Sequence, residues 1–311
     1  MEYKFHTCDV FTDTLHGGNP LAVLPDARGL SDDQMMAITR EFNYSETTFV
    51  FPPDDSAHTN RVRIFTPGRE LQFAGHPTVG TAHVLAATGV IPMTGDETRI
   101  VFEEGVGPVP VTIKARDGSP YFAQLTAAKL PEVGDPPPST KVLSEILSLE
   151  PSDILADDLI EPEAVSCGTP FLFIPVRTPE VLKWIKIDNK KWEESLKSYW
   201  APEMFVFSAD TWPGIFEGGH IRARMFAPAL GIGEDPATGS ACAALAGFLG
   251  FRSEQRAATL KWTVDQGVEM GRPSRLDLEV DLDRGQVKAI RVGGSTVLVS
   301  SGVLHLPSGA A

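Results

Sequence analysis

Cysteine is scarce in this chain: Cys8, Cys167 and Cys242 are the only three, and no two form a CxxC pair. Thiols so few and so scattered exclude a disulfide framework. The seven histidines are scattered too, and no cysteine stands at ligand spacing, so no metal site is expected. Positive charge is also short. Lys+Arg 27 against Asp+Glu 41 gives a net charge of -14, which opposes the approach of nucleic acid and of anionic membrane surfaces. A small anionic ligand is not excluded, because a local site can differ in sign from the whole. No apolar run approaches the ~20 residues needed to cross a bilayer. The start, MEYKFHTCDVF, lacks the basic stretch, apolar core and cleavage site of a secretory signal. Neither GxGxxG nor GxxxxGK(S/T) occurs, so a nucleotide cofactor has no visible cradle. These absences predict a cytoplasmic protein without a zinc site or a nucleotide cofactor.

What is present is a globular balance, 42% hydrophobic and 22% charged residues, in a length that suits two ordinary domains or one large one. The most informative feature is internal. FTPGRELQFAGHPTVGTA (65–82) and FAPALGIGEDPATGSA (226–241) share Phe-x-Pro, a variable stretch, then His or Asp followed by Pro-x-x-Gly-(Thr/Ser)-Ala. His76 falls on Asp235, Gly80 on Gly239 and Thr81 on Ser240. GNPLAVLP (18–25) echoes GTPFLFIP (168–175), and Phe49-Val50-Phe51 echoes Phe205-Val206-Phe207. Three pairs in the same order predict two structurally similar halves.

Each half opens with β-rich segments bounded by Gly and Pro. In the first half Ser31-x-x-Gln34 reads as a capping box, with Leu30 and Met35 placed as a hydrophobic staple. The helix after Ser139 has Val142, Leu143, Ile146 and Leu147 on one face. Each half then carries one unusual helix, TVGTAHVLAATG (78–89) and TGSACAALAGFLG (238–250), almost free of charge and rich in small residues. A helix apolar on every face is a buried one. The expected fold is therefore α+β, two pseudo-symmetric domains, each a β-sheet wrapped around a central buried helix. Cys242 lies inside the second such helix as a small core residue.

Pro77 and Pro236 suit a first helical position, which would make His76 and Asp235 the N-caps. The N–H groups that follow, near Gly80-Thr81 and Gly239-Ser240, would lack internal partners and favour an anion. A capped helix start is first of all a structural device, and a lone His76 reads as a surface histidine. Glu46 lies in NYSETTFVF just before a strand, where alternation puts Glu46, Thr48 and Val50 on one face and Phe49 and Phe51 on the other. Its counterpart in the repeat is Pro202, an asymmetry that fits one working carboxylate. Four of the five tryptophans, Trp184, Trp192, Trp200 and Trp212, crowd into 29 residues of the second half, as packing or as an oligomer surface.

GNPLAV (18–23), SET (45–47), FTPGRELQFAGHPTVGTAHVL (65–85), EDPATGSA (234–241), QG (266–267), GRPS (271–274) and VGG…V…GVL (292–304) together resemble the PhzF, phenazine biosynthesis-like, family. That resemblance implies a fold similar to diaminopimelate epimerase. It implies a cofactor-independent, metal-free isomerase acting on a small carboxylate-bearing substrate, and a homodimer. It makes Glu46 the proton-transferring acid/base, and it assigns Gly75, His76, Asp235, Gly239 and Ser240 to substrate binding. The His-Pro and Asp-Pro pairs stand where the epimerase has its two catalytic cysteines, so a two-thiol mechanism is excluded. An epimerase or lyase of similar chemistry, and a non-catalytic binding or scaffold protein, are the competing readings. The first half is expected over 1–117 and the second over 118–296. By analogy with the epimerase, the last segment, 297–311, returns to the first half as an added strand.

Overall fold

The computed structural model describes residues 1–212 and 214–306. They pack as two compact units, Met1–Ala128 with the chain from Gly293 onward, and Lys129–Val292. The first begins with β1 (Glu2–Val10), β2 (Asn19–Leu24), α1 (Asp32–Phe42), β3 (Glu46–Phe51), β4 (Asn60–Phe65) and β5 (Glu70–Leu71). It continues with α2 (Gly75–Ala87), β6 (Glu97–Glu104), β7 (Gly107–Arg116) and β8 (Ser119–Thr126). Then come β9 (Glu132–Val133), α3 (Thr140–Leu147), β10 (Glu163–Ser166), β11 (Pro170–Pro175), α4 (Pro179–Leu182) and α5 (Asn189–Ser195). The chain proceeds through β12 (Met204–Ala209), β13 (Gly219–Ala227), β14 (Ile232–Asp235), α6 (Gly239–Gly250), β15 (Ala257–Gln266), β16 (Ser274–Asp283) and β17 (Gln286–Gly294) to β18 (Thr296–His305).

The internal repeat is a repeat of topology. In the first unit β1 and β2 are antiparallel, β2 and β3 parallel, β3 and β4 antiparallel, β4 and β6 parallel, and β6 and β7 antiparallel. In the second, β10, β11, β12, β13, β15 and β16 follow one another with the same alternation. The short strands β5 and β14 lead into the two apolar helices at matching places. Every residue of α2 from Gly75 to Ala86 is buried, and so is all of α6 except Ser240. The fold is α+β, with one buried helix packed against the sheet of each unit.

Packing divides the chain after Ala128 and before Gly293, where 117 and 297 were expected. β8 pairs with β7 along its length and so goes with the first unit. The returning strand is β18, antiparallel to β1 from Glu2↔His305 to Val10↔Thr296. Residues 307–311 of the expected returning segment lie outside the described residues.

Local signals read from sequence act as expected at α1. Ser31 accepts the Gln34 N–H, and the Gln34 side chain accepts the Ser31 N–H. Leu30 and Met35 lie in one core cluster with Ile38, Phe49 and Phe65. α3 is capped by Ser139 and buries Leu143, Ile146 and Leu147. Trp192 is buried with its Nε1 donating to the Pro202 carbonyl, whereas Trp184 is 60% exposed. Among the described residues no helix is long and apolar enough to cross a membrane.

Strand register corrects one sequence alignment. Thr47 pairs with Phe65, the start of the first Phe-x-Pro, and Met204 pairs with Phe226, the start of the second. The residue before each is Glu46 in one unit and Glu203 in the other. Glu203, not Pro202, is thus the counterpart of Glu46, and it too is buried. The alignment through Phe-Val-Phe was one residue out of phase, and a slip of one residue exchanges the faces of a strand.

Candidate active site

Glu46 is the first residue of β3, opposite Leu21 of β2. The expected alternation holds. Two residues on, the Thr48 hydroxyl lies 2.8 Å from that of Thr81 in α2, while Phe49 turns to the opposite cluster beside α1. Glu46 therefore shares the face that looks onto the buried helix. Its Oε2 stands 3.3 Å from Nε2 of His76, in the first turn of α2. The pair is within ion-pair range without forming a hydrogen bond. His76 is no surface histidine. It is 5% exposed, and burial lowers its pKa to about 3, so the ring is neutral near pH 7. Its Nδ1 lies 3.3 Å from the Asn19 amide nitrogen.

The helix starts differ from the expected caps. α2 begins at Gly75 behind Ala74, so His76 and Pro77 occupy its second and third positions. Proline is tolerated there because first-turn N–H groups have no intrahelical partner to lose. No side chain caps this end, which leaves its partial positive charge uncompensated by a cap. α6 begins after Thr238, so Asp235 ends β14 and Pro236 lies in the connecting loop. Gly239 is buried in the first turn and Ser240 beside it is half-buried.

A directional network holds that loop. Gln266 is fully buried. Its side-chain nitrogen donates to the Asp235 carbonyl at 2.8 Å and to Thr238 Oγ1 at 3.0 Å, and its oxygen accepts the Thr238 N–H at 3.2 Å. With a donor already on its oxygen, the Thr238 hydroxyl directs its own proton to Asp235 Oδ2 at 2.5 Å. Gly267 follows with φ 72, and a Cβ there would stand 2.5 Å from the Arg272 carbonyl oxygen and 2.6 Å from that of Pro236. Only glycine permits so close an approach.

Glu104 is the residue that sequence reading missed. It closes β6 in phase with Ile100 and Phe102, and this inward alternation is the signal that could have found it. Thr78 Oγ1 lies 2.7 Å from the Ala74 carbonyl oxygen and 2.6 Å from Glu104 Oε1. One hydroxyl proton cannot serve both, and the carbonyl can only accept. A protonated Glu104 that donates to Thr78 satisfies the arrangement. Burial pushes its pKa up to about 8. The three cysteines are free and buried, and burial pushes all three thiols upward, so none is a poised nucleophile. Among the described residues no group of three or more His, Cys, Asp or Glu is placed to hold a metal ion.

The family described as phenazine biosynthesis-like protein, PhzC-PhzF, matches residues 8–302. An uncharacterised isomerase of Mesorhizobium japonicum is 40% identical over 304 residues, 96% of this chain and 97% of that protein. The trans-2,3-dihydro-3-hydroxyanthranilate isomerase of Pseudomonas aeruginosa is 32% identical over 98% of this chain and 100% of its own length. A crystal structure of a PhzF family protein from Bacillus anthracis has a TM-score of 0.84 at 24% identity, covering 98% of this chain and 100% of that one. That last likeness is one of fold.

Proposed function

The chain belongs to the phenazine biosynthesis-like family and is an isomerase; we propose that it moves a proton on a small carboxylate-bearing substrate, with Glu46 as the acid/base. The observation that carries this reading is the buried pair of Glu46 and His76 at the uncapped start of a buried helix. Glu46 takes a proton from a substrate carbon, the C–H electron pair stays in the substrate's conjugated system, and Glu46 returns the proton to another carbon. General acid/base transfer supplies on the order of 10²–10⁴-fold, and orientation by the binding groups supplies much of the rest.

Gly75, His76, Asp235, Gly239 and Ser240 are the substrate-binding residues of this reading. N–H groups at a helix start favour a carboxylate despite the acidic surface. No metal or organic cofactor takes part, the working form is a homodimer and its compartment is the cytoplasm. The relative named for trans-2,3-dihydro-3-hydroxyanthranilate makes that compound the first to test. Conversion of it, or of related cyclic amino-substituted acids, in D₂O should place deuterium at the carbon that receives the proton, to the extent that Glu46 exchanges with solvent between steps. Retained turnover in Glu46→Gln would remove the assignment.

A further inference from the structure

We infer that Asn19 fixes the tautomer of His76, placing the ring's one proton on Nε2, the nitrogen that faces Glu46. The inference rests on Glu46 as the acid/base for its importance, but not for its geometry.

The chain delivers Asn19 to this position by a turn that only glycine can make. Gly18 has φ 59, and a Cβ there would stand 2.3 Å from the Val10 carbonyl oxygen. Asn19 then opens β2 opposite Val10 and is completely buried. Its amide nitrogen lies 3.3 Å from His76 Nδ1. An amide NH₂ only donates, so Nδ1 must offer its lone pair and carry no proton. A neutral imidazole has one N–H, which is left to Nε2. That nitrogen is 3.3 Å from Glu46 Oε2. A catalytic hydrogen bond is often loose in a free enzyme and tightens around its ligand.

The opposite arrangement is self-defeating. With the Asn19 carbonyl turned to the ring, the proton would sit on Nδ1 and a bare Nε2 lone pair would face the Glu46 carboxylate. Two acceptors at that distance repel unless Glu46 is already protonated, which would leave no base.

The consequence concerns where the moving proton rests. His76 would need to protonate Nδ1 to become imidazolium, and there it would meet the Asn19 donor. Burial of the ring works in the same direction. A proton taken from the substrate therefore stays on Glu46, and Nε2–H steadies the carboxylate without accepting the proton. Asn19 is a positioning residue that acts through His76.

Long-range ¹H–¹⁵N NMR of the histidine side chains near pH 7, with His76 assigned from the signals lost in His76→Gln, tests this directly. The expected wild-type spectrum has His76 Nδ1 unprotonated and Nε2 protonated. In Asn19→Asp the carboxylate can only accept, so the proton should move to Nδ1. Turnover on the substrate of the wild type should fall by about tenfold or more. A proton on Nδ1 in the wild type overturns the inference, and so does an unchanged tautomer in folded Asn19→Asp. The wild-type spectrum decides even where the variant does not fold. Active Glu46→Gln with the expected spectrum would remove the acid/base reading and leave the tautomer standing.

Discussion

Glu46 Oε2 lies 3.3 Å from His76 Nε2, and both side chains are buried. Substitution should separate their roles. Glu46→Gln keeps the size but removes the transferable proton, so turnover should fall at least ~10²-fold with ligand binding largely retained. His76→Ala should weaken binding together with turnover. Steady-state kinetics beside calorimetric binding, run in the presence of a chelator, separates the two. Comparable turnover in Glu46→Gln and wild type would defeat the assignment, and activity restored only by a divalent ion would defeat the metal-free reading.

Glu104 makes stability fall as pH rises. Its pKa is raised from 4.5 to about 8, so between those values the unfolded chain releases a proton that the folded chain keeps. The loss approaches about 1.4 kcal/mol per pH unit and ends once pH passes about 8. Glu104→Gln can still donate to Thr78 and carries no titration. Relative to wild type, the variant should gain stability between pH 5 and pH 8, by an amount on the order of a few kcal/mol. Urea midpoints at the two pH values measure it. An equal difference at both would show that Glu104 is already ionised in the folded protein.

His83 works in the other direction. It lies in α2, its Nδ1 is buried without a hydrogen-bond partner, and burial lowers its pKa from 6.5 to about 4. A depressed histidine leaves stability fully present above pH 6.5, and this is lost as pH falls towards about 4. His76 adds to the same acid limb, with its own pKa at about 3. His83→Leu should lower the pH slope of stability between 6.5 and 4 by about one proton. An unchanged slope in chemical-denaturation series would mean that His83 reaches solvent.

The loop before α6 hangs on Gln266. Gln266→Ala leaves the buried Thr238 N–H without its acceptor and frees the Thr238 hydroxyl from its fixed direction towards Asp235. The expected cost is about 1–3 kcal/mol of stability. Affinity for the carboxylate substrate should fall as well, if Asp235 binds it as proposed. Thr238→Val removes the bond to Asp235 and should reproduce the loss of affinity. A stability change with unaltered affinity in both variants would make the network purely structural.

How much of this was legible depends on the kind of signal. The two buried helices show in the sequence because an apolar segment without a polar face has one place to go. The repeat shows because Gly, Pro and small residues sit where backbones turn or approach, as at Gly18. The helix starts were misplaced by a turn or less. Proline marks only that an N–H is dispensable, which holds for Pro77 at the third position of a helix and for Pro236 in a loop before one. The equivalence of Glu46 and Glu203 was hidden because Phe-Val-Phe matches in either of two adjacent phases, and only strand pairing chooses between them. Glu104 was hidden by its neighbour. Glu103 faces outward and accepts the N–H groups of Asp54 and Asp55, and only the pleat of the strand sends Glu104 inward.

The pairing of β18 with β1 imposes an order on synthesis. A ribosome makes β1 well before the strand that lies beside it, with the whole of Lys129–Val292 in between. The second unit is continuous in sequence and can close as soon as it has emerged. The first unit must wait with one side of β1 unpaired, an open edge available to other nascent strands. The half that carries Glu46 and His76 is thus begun before the other and completed after it. Truncation anywhere before Thr296 would leave that edge open for good.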